Sequence, residues 1–472
     1  MIKLKKVISQ LNDTTYSSIR DALVKNNAEN FLFLFESYRH GDISDDDIKT
    51  KLNLNPNSFY VLKSRLYDKV QNNLAGDIQV NQADILRQLQ QIPDICFNTP
   101  REIAVAFLQK LEKDLRLFDM HNELLMVYAA YKKIHLYSDK YFHFSQLYNK
   151  HIAFSLSIEK SEEILGNFNR ILAQYDFSRS TALLNELLFL RKEILDHFAL
   201  NNSRQIEIIK NMIELQLRLL FTNAMPKEYD AKEALERTQF LLDELPDSSP
   251  LKKWQISLDY LFFEYFRKIE HSKNAALYYD KIVANLECLL LQSHICITSG
   301  FLVSKIKYLQ ELERTNDMVE HCLQVLLIDS DDMHSKVHLA LYQAMTSYYA
   351  GKYKEAINKL NDVINLYSFK DFFHISADVK LTLAFFYIKV KEYEMADNIL
   401  KSIYRKIKSD KLDQYVNALD LIKVFTADLS ESDDKRSQAK QRDLFTLFMA
   451  RNNGEYELLK HLQLELNKRY LK

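Results

Sequence analysis

The chain has 472 residues, 47% of them hydrophobic and 27% charged, and its 63 basic and 64 acidic side chains leave a formal net charge of −1. That length exceeds the ~250–300 residues at which a single core stops growing, so the chain divides into domains or extends as an array. Balanced charge excludes a global field steering it toward nucleic acid or anionic lipid. Only six glycines and six prolines are present, against averages of ~7% and ~5%, which excludes most folds built from hairpin turns and phosphate-cradling loops.

What remains is helix after helix, joined by short polar turns: an all-α protein. Met1-Ile2-Lys3-Leu4-Lys5-Lys6 is basic, but the polar run Ser9–Thr15 supplies no apolar signal region. The longest apolar run, Leu124–Tyr131, falls well short of the ~20 residues that cross a bilayer. A cytoplasmic protein with no membrane partner is expected. The cysteines, Cys96, Cys288, Cys296 and Cys322, form no C-x-x-C pair and have no histidine at ligand spacing, so neither a structural zinc nor a disulfide framework is expected.

In chain order, the first element pair lies in residues 1–76. Ser44 followed by Asp45, Asp46 and Asp47 is a helix start, with a capping side chain and acids that favour the dipole. Asn55 and Pro56 start a second helix, whose apolar stripe is Phe59, Leu62, Leu66, Val70 and Leu74. The pattern looks like a helix-turn-helix with Tyr60, Lys63, Ser64 and Arg65 on or beside its outward face. Yet residues 1–76 carry eleven basic against nine acidic side chains, and Asp68 would face phosphate badly. DNA binding is therefore the unfavoured reading of a module that also reads as a helical cap.

Pro93 and Pro100 mark residues 77–100 as a linker, and residues 101–225, without proline, as a helical block with Leu108, Leu111, Leu115 and Phe118 in register. His143 and His151 fall in an aromatic-rich part of that block. Eight residues is two helical turns, too far for shared ligation on a straight helix, so no metal site is expected there. Residues 226–430 read as a repeat array. The charged tract Ser430–Arg442 reads as a loop, and one or two helices close the chain over 431–472.

Within the array, Tyr353, Ala356, Leu360 and Val363 recur as Tyr393, Ala396, Leu400 and Ile403. A small residue is needed where antiparallel helices cross closely, and the apolar pair fills the adjoining groove. Ala234 and Ala275 begin two partial copies, and a degenerate unit surrounds Met318, His321, Val325 and Ile328. This pattern resembles the tetratricopeptide repeat over about 225–405. Gly351 matches that family's turn glycine; Lys391 departs from it, so the second turn must differ or tolerate strain. The alanine spacing of about 40 residues exceeds the usual 34, as longer helices would explain.

The resemblance implies a right-handed α-solenoid of antiparallel helix pairs, a scaffold without cofactor rather than an enzyme, gripping a protein or peptide along the first helices of each pair. Tyr342, Tyr349, Lys380 and Tyr387 are the candidates on those helices. No phosphate-loop, dinucleotide, nucleophile-elbow or H-E-x-x-H motif is present. The rival reading is a transcriptional regulator, similar to peptide-responsive bacterial regulators, with helix-turn-helix in front and sensing repeats behind.

Overall fold

The computed structural model describes residues 4–5, 8, 11, 13–25, 28–40, 44–77, 80–220, 230–245, 250–286, 288–289, 295–314, 316–317, 333–429, 435–452 and 454–471. They form helices and no strand, and they divide into two compact units, Met1–Tyr148 and Asn149–Lys472.

The first unit begins with α1 (Asp13–Lys25), α2 (Glu29–His40), α3 (Asp45–Lys51) and α4 (Pro56–Asp77). The Ser44 side chain accepts from the Asp47 amide at 3.2 Å, and Asn55 Oδ1 accepts from the Ser58 amide at 2.8 Å, so both starts are capped as the residue types dictate. Phe35, Tyr38, Ile48, Phe59, Leu66 and Val70 meet in one core. Residues 77–100 are not a linker but mostly helix, α5 (Val80–Gln90) and α6 (Ile92–Asn98). Pro93 lies in the first turn of α6 and Pro100 is the N-cap of α7 (Arg101–Leu117), positions where a missing N–H breaks no helical bond. Ile85, Leu89 and Ile92 join Leu108, Leu111 and Leu115 of α7 and the apolar face of α8 (His121–Ile134) in a second core.

Helix α9 (Lys140–Ser178) runs from the end of the first unit into the second. After α10 (Thr181–Leu200), α11 (Arg204–Leu220) and α12 (Ala231–Asp243), the second unit is a series of antiparallel helices. α13 (Trp254–Lys268) pairs with α14 (Ser272–Ala284), α16 (Met333–Tyr349) with α17 (Tyr353–Leu366), α18 (Phe373–Lys389) with α19 (Tyr393–Ser409), and α20 (Val416–Asp428) with α21 (Lys435–Arg451); α15 (Ile295–Glu311) packs on α16. Ser430–Arg442 was expected as a loop, but from Lys435 it is helical, because Lys, Arg, Gln and Ala are strong helix formers whatever their polarity.

One turn recurs at the end of four of these helices. Glu270, Glu313, Gly351 and Lys391 all have positive φ, at 55°, 57°, 73° and 63°. Each donates its amide three residues back, and the following residue donates five back. Lys352 N reaches Ser347 O at 2.8 Å, and Glu392 N reaches Tyr387 O at 2.9 Å. Lys391 thus adopts the same left-handed turn as Gly351 and bears the strain, since its Cβ crowds the carbonyl there. These turns repeat at intervals of about 40 residues. The small residues Ala234, Ala275, Ala356 and Ala396 are buried, the last two completely, while Tyr353 and Tyr393 lie at the rim. The unit around Met318, His321, Val325 and Ile328 lies outside the described residues.

The chain's last segment returns across the first helices of the pairs. Leu459 N donates to Asp378 Oδ1 at 2.5 Å, Gln310 Nε2 to His461 O at 2.9 Å, and Tyr348 Oη to Glu465 Oε2 at 3.2 Å. Leu458, Leu459, Leu462 and Leu466 are buried beneath it, and α22 (Gln463–Tyr470) ends the described chain.

Candidate functional site

Packing between helices, and for Tyr349 the returning segment, decides the fate of most sequence candidates. Tyr342 is fully buried in the core, and Tyr387 is buried with its hydroxyl accepting from Asn361 Nδ2 at 3.0 Å. Tyr349 is half-buried and accepts from Gln310 Nε2 at 2.7 Å. None of these three tyrosines stands on an open face. The sequence could not distinguish them, because apolar residues are spread around these helices rather than confined to one stripe.

Lys380 is different. Its side chain lines an open groove of about 590 Å³ between α18 and α19. Lys370, Lys401, Arg405 and Lys406 share that groove with Tyr367, Phe369 and Phe373, and no carboxylate lines it. Lys401 and Lys406 are paired along α19 with Asp397 and Asp410, exposed pairs that solvent screens and that hold weakly. Lys370, Lys380 and Arg405 have no ion-pair partner among the described residues. Burial, then the neighbouring Lys406 charge, holds the Lys380 ammonium below its ordinary value. The groove is a cationic channel edged by aromatic rings.

A second site, absent from the sequence candidates, is a polar cavity of about 360 Å³ inside the second unit. Its walls come from the C-terminal end of α9, from α10, α11, α13, α15, α16 and α18, and from the returning segment. Lys268, Lys307 and Lys460 line the cavity. Lys268 donates to Leu219 O, and burial pushes its ammonium down to about 8. Burial likewise lowers Lys307, and nearby Arg267 and Lys460 add to the effect. Gly300 is required here, because a Cβ on it would lie 2.6 Å from the Tyr260 hydroxyl.

The cavity lining also holds buried histidines and two aspartates. Asp176 Oδ2 lies 3.1 Å from both His334 Nε2 and His338 Nε2, and Asp176 Oδ1 accepts from Arg179 at 2.7 Å. Burial would raise the Asp176 carboxyl, but the Arg179 charge and the two imidazoles hold it well below the carboxylate range. Arg179 itself sits at φ 54°, a left-handed residue at the junction of α9 and α10. Burial keeps His374 well below its ordinary 6.5, with Arg179 reinforcing it, and burial also lowers His461, which bonds Thr382 Oγ1 at 2.9 Å.

His143, by contrast, is exposed, and His151 is buried two turns along the same helix; among the described residues, the grouping with metal-ligand proximity is Asp176, His334 and His338. The signal that could have found it is the His-x-x-x-His spacing of 334 and 338, which places both rings on one helical face. Asp176, more than 150 residues earlier, carries no local signal.

In the first unit, Tyr60, Ser64 and Arg65 are exposed on α4. Lys63 is not available to a phosphate: its ammonium pairs with Asp45 at 2.8 Å and lies against the Tyr38 and Phe59 rings. Cys96 is a free thiol. No helix among the described residues is long and apolar enough to cross a membrane.

Compared with protein-family models, curated proteins and solved structures, the chain has no match.

Proposed function

We propose that this chain is a non-catalytic, tetratricopeptide-like helical scaffold that takes an acidic, aromatic-tolerant segment of a protein or peptide into the groove between α18 and α19. The observation that carries the reading is the groove's lining, five cations and three aromatic side chains with no carboxylate. A cationic channel with apolar edges suits an extended acidic peptide: the carboxylates find Lys370, Lys380 and Arg405, and side chains between them pack on Tyr367, Phe369 and Phe373. The two surface pairs at Lys401 and Lys406 are weak enough to exchange for a ligand's carboxylates. The partner surface therefore lies beside the face first expected, whose tyrosines are covered.

Fluorescence anisotropy with a labelled Asp/Glu-rich peptide containing one Trp tests this. Binding should weaken with salt, and Lys380→Glu with Arg405→Glu should weaken it by tenfold or more, about 1.4 kcal/mol per factor of ten. A charge-reversed peptide that binds equally well would sink the reading. The regulator reading keeps one favourable feature, the capped helices α3 and α4 with Tyr60, Ser64 and Arg65 exposed. Salt-dependent duplex binding that is lost in Arg65→Ala would revive it.

A further inference from the structure

We propose that Asp176, His334 and His338 are a binding site for one divalent transition-metal ion, with zinc the best match to its donor set. Sequence gives the first half of the geometry. His334 and His338 are four residues apart on α16, so both imidazoles leave the helix on the same side. The fold supplies the third donor, placing Asp176 Oδ2 at 3.1 Å from each Nε2, with all three donor atoms within 4.8 Å of one another. Donors bound to one zinc ion at ~2.0–2.2 Å lie about 3–3.5 Å apart, which the two carboxylate–imidazole separations already match.

The rings are held before any ion arrives. His334 stacks on Phe177 with centroids 4.6 Å apart, His338 lies 5.6 Å from the same ring, and Phe177 is braced edge-on by Phe372. Both histidines are buried, which removes the rotamer cost that a surface pair would have to meet on binding. Arg179 occupies Asp176 Oδ1 and so orients Oδ2 toward the imidazoles, leaving a single oxygen for the ion. Asp176 and His338 both line the cavity, which puts the remaining coordination position of a tetrahedral ion toward the cavity space. Without an ion, the acceptor-only Asp176 carboxylate keeps the proton on His338 Nε2; His338 Nδ1 has no hydrogen-bond partner, so it is free to take that proton. On metal binding, Nε2 presents its lone pair and the proton resides on Nδ1. The cavity lining as a whole is balanced, with Arg179, Arg267, Lys268, Lys307 and Lys460 against Asp176, Glu264, Asp378, Glu455 and Glu457, so the ion's attraction comes from the donor set itself, with Asp176 as its anionic member.

The bare ions are the probes. The full chain, treated with chelator and dialysed, is titrated with Zn2+ by calorimetry and with Co2+ by visible absorption. One ion per chain with a Kd of about 10 μM or tighter is expected, with the intense d–d bands of low-coordinate Co2+. His338→Ala and, separately, the nearly isosteric Asp176→Asn should each weaken Zn2+ by at least tenfold, with circular dichroism and Tm reporting whether the fold survives. A wild-type chain that takes up no ion, or only the pale octahedral Co2+ spectrum, overturns the site whatever the variants do. So does stoichiometric binding that persists in folded His334→Ala/His338→Ala protein, since surface histidines would then account for it.

Discussion

The two helices of a single hairpin, α18 and α19, are equally long and differ in almost everything else. Thirteen of the seventeen residues of α18 are buried, on every side of the helix, whereas α19 buries only Ala396, Leu400, Ile403 and Ile407 in one stripe. The second helix behaves as an amphipathic surface helix should. The first is a core helix, because α19 covers one side and the returning C-terminal segment covers another. A partner thus finds its open surface along α19, not on the α18 face that the repeat pattern suggested.

The sharpest way to break that comparison is Leu462→Asp, which places an unpaired carboxylate in a fully buried site on the returning segment. A loss above about 4 kcal/mol in urea unfolding is expected. Phe385→Ala on α18 should cost about 3–5 kcal/mol, while Met395→Ala on the exposed side of α19 stays within about 0.5 kcal/mol. Equal costs would mean that the two helices are buried alike. Ala356→Trp, at a completely buried helix crossing, should cost about 1–3 kcal/mol or more; an unchanged Tm would show that the crossing is not close.

Acid should act on the covered face. His374 and His461 are held below their ordinary 6.5 by burial, so below about pH 6.5 the unfolded chain binds protons that the native chain refuses. Stability should then fall as pH drops from 6.5 toward 5, and this slope should shrink in a folded His374→Gln variant. A slope unchanged by that substitution would remove His374 from the account. The smallest effect tests the turn between the two helices: Lys391→Gly relieves a left-handed lysine and should raise stability by about 0.5–1 kcal/mol, and Gly351→Ala should lower it by a similar amount.

Much of this hairpin was legible. The Tyr–Ala–Leu spacing at 353–360 and 393–400 marked the second helices because an amphipathic stripe writes itself into sequence at a 3.6-residue period. The Ser44 and Asn55 caps were equally local and stand where the residue types placed them. Prolines misled at 77–100, since they mark helix starts as readily as linkers, and charge misled at Lys435, since polarity does not prevent a helix. Lys380 was chosen for its helix and stands on the groove. Tyr342 and Tyr387 were chosen for the same reason and are core.

Sequence by itself determined that this chain is helical, where the Ser44 and Asn55 caps fall, and which alanines of the repeat pattern are buried, because each of these depends on neighbours within a few turns. Tertiary structure alone decided which apolar faces are covered. It also brought Asp176 to the imidazoles of α16, and gathered five cations at one groove without a carboxylate. Those outcomes depend on segments separated by tens to hundreds of residues meeting in space, and no local periodicity records such a meeting.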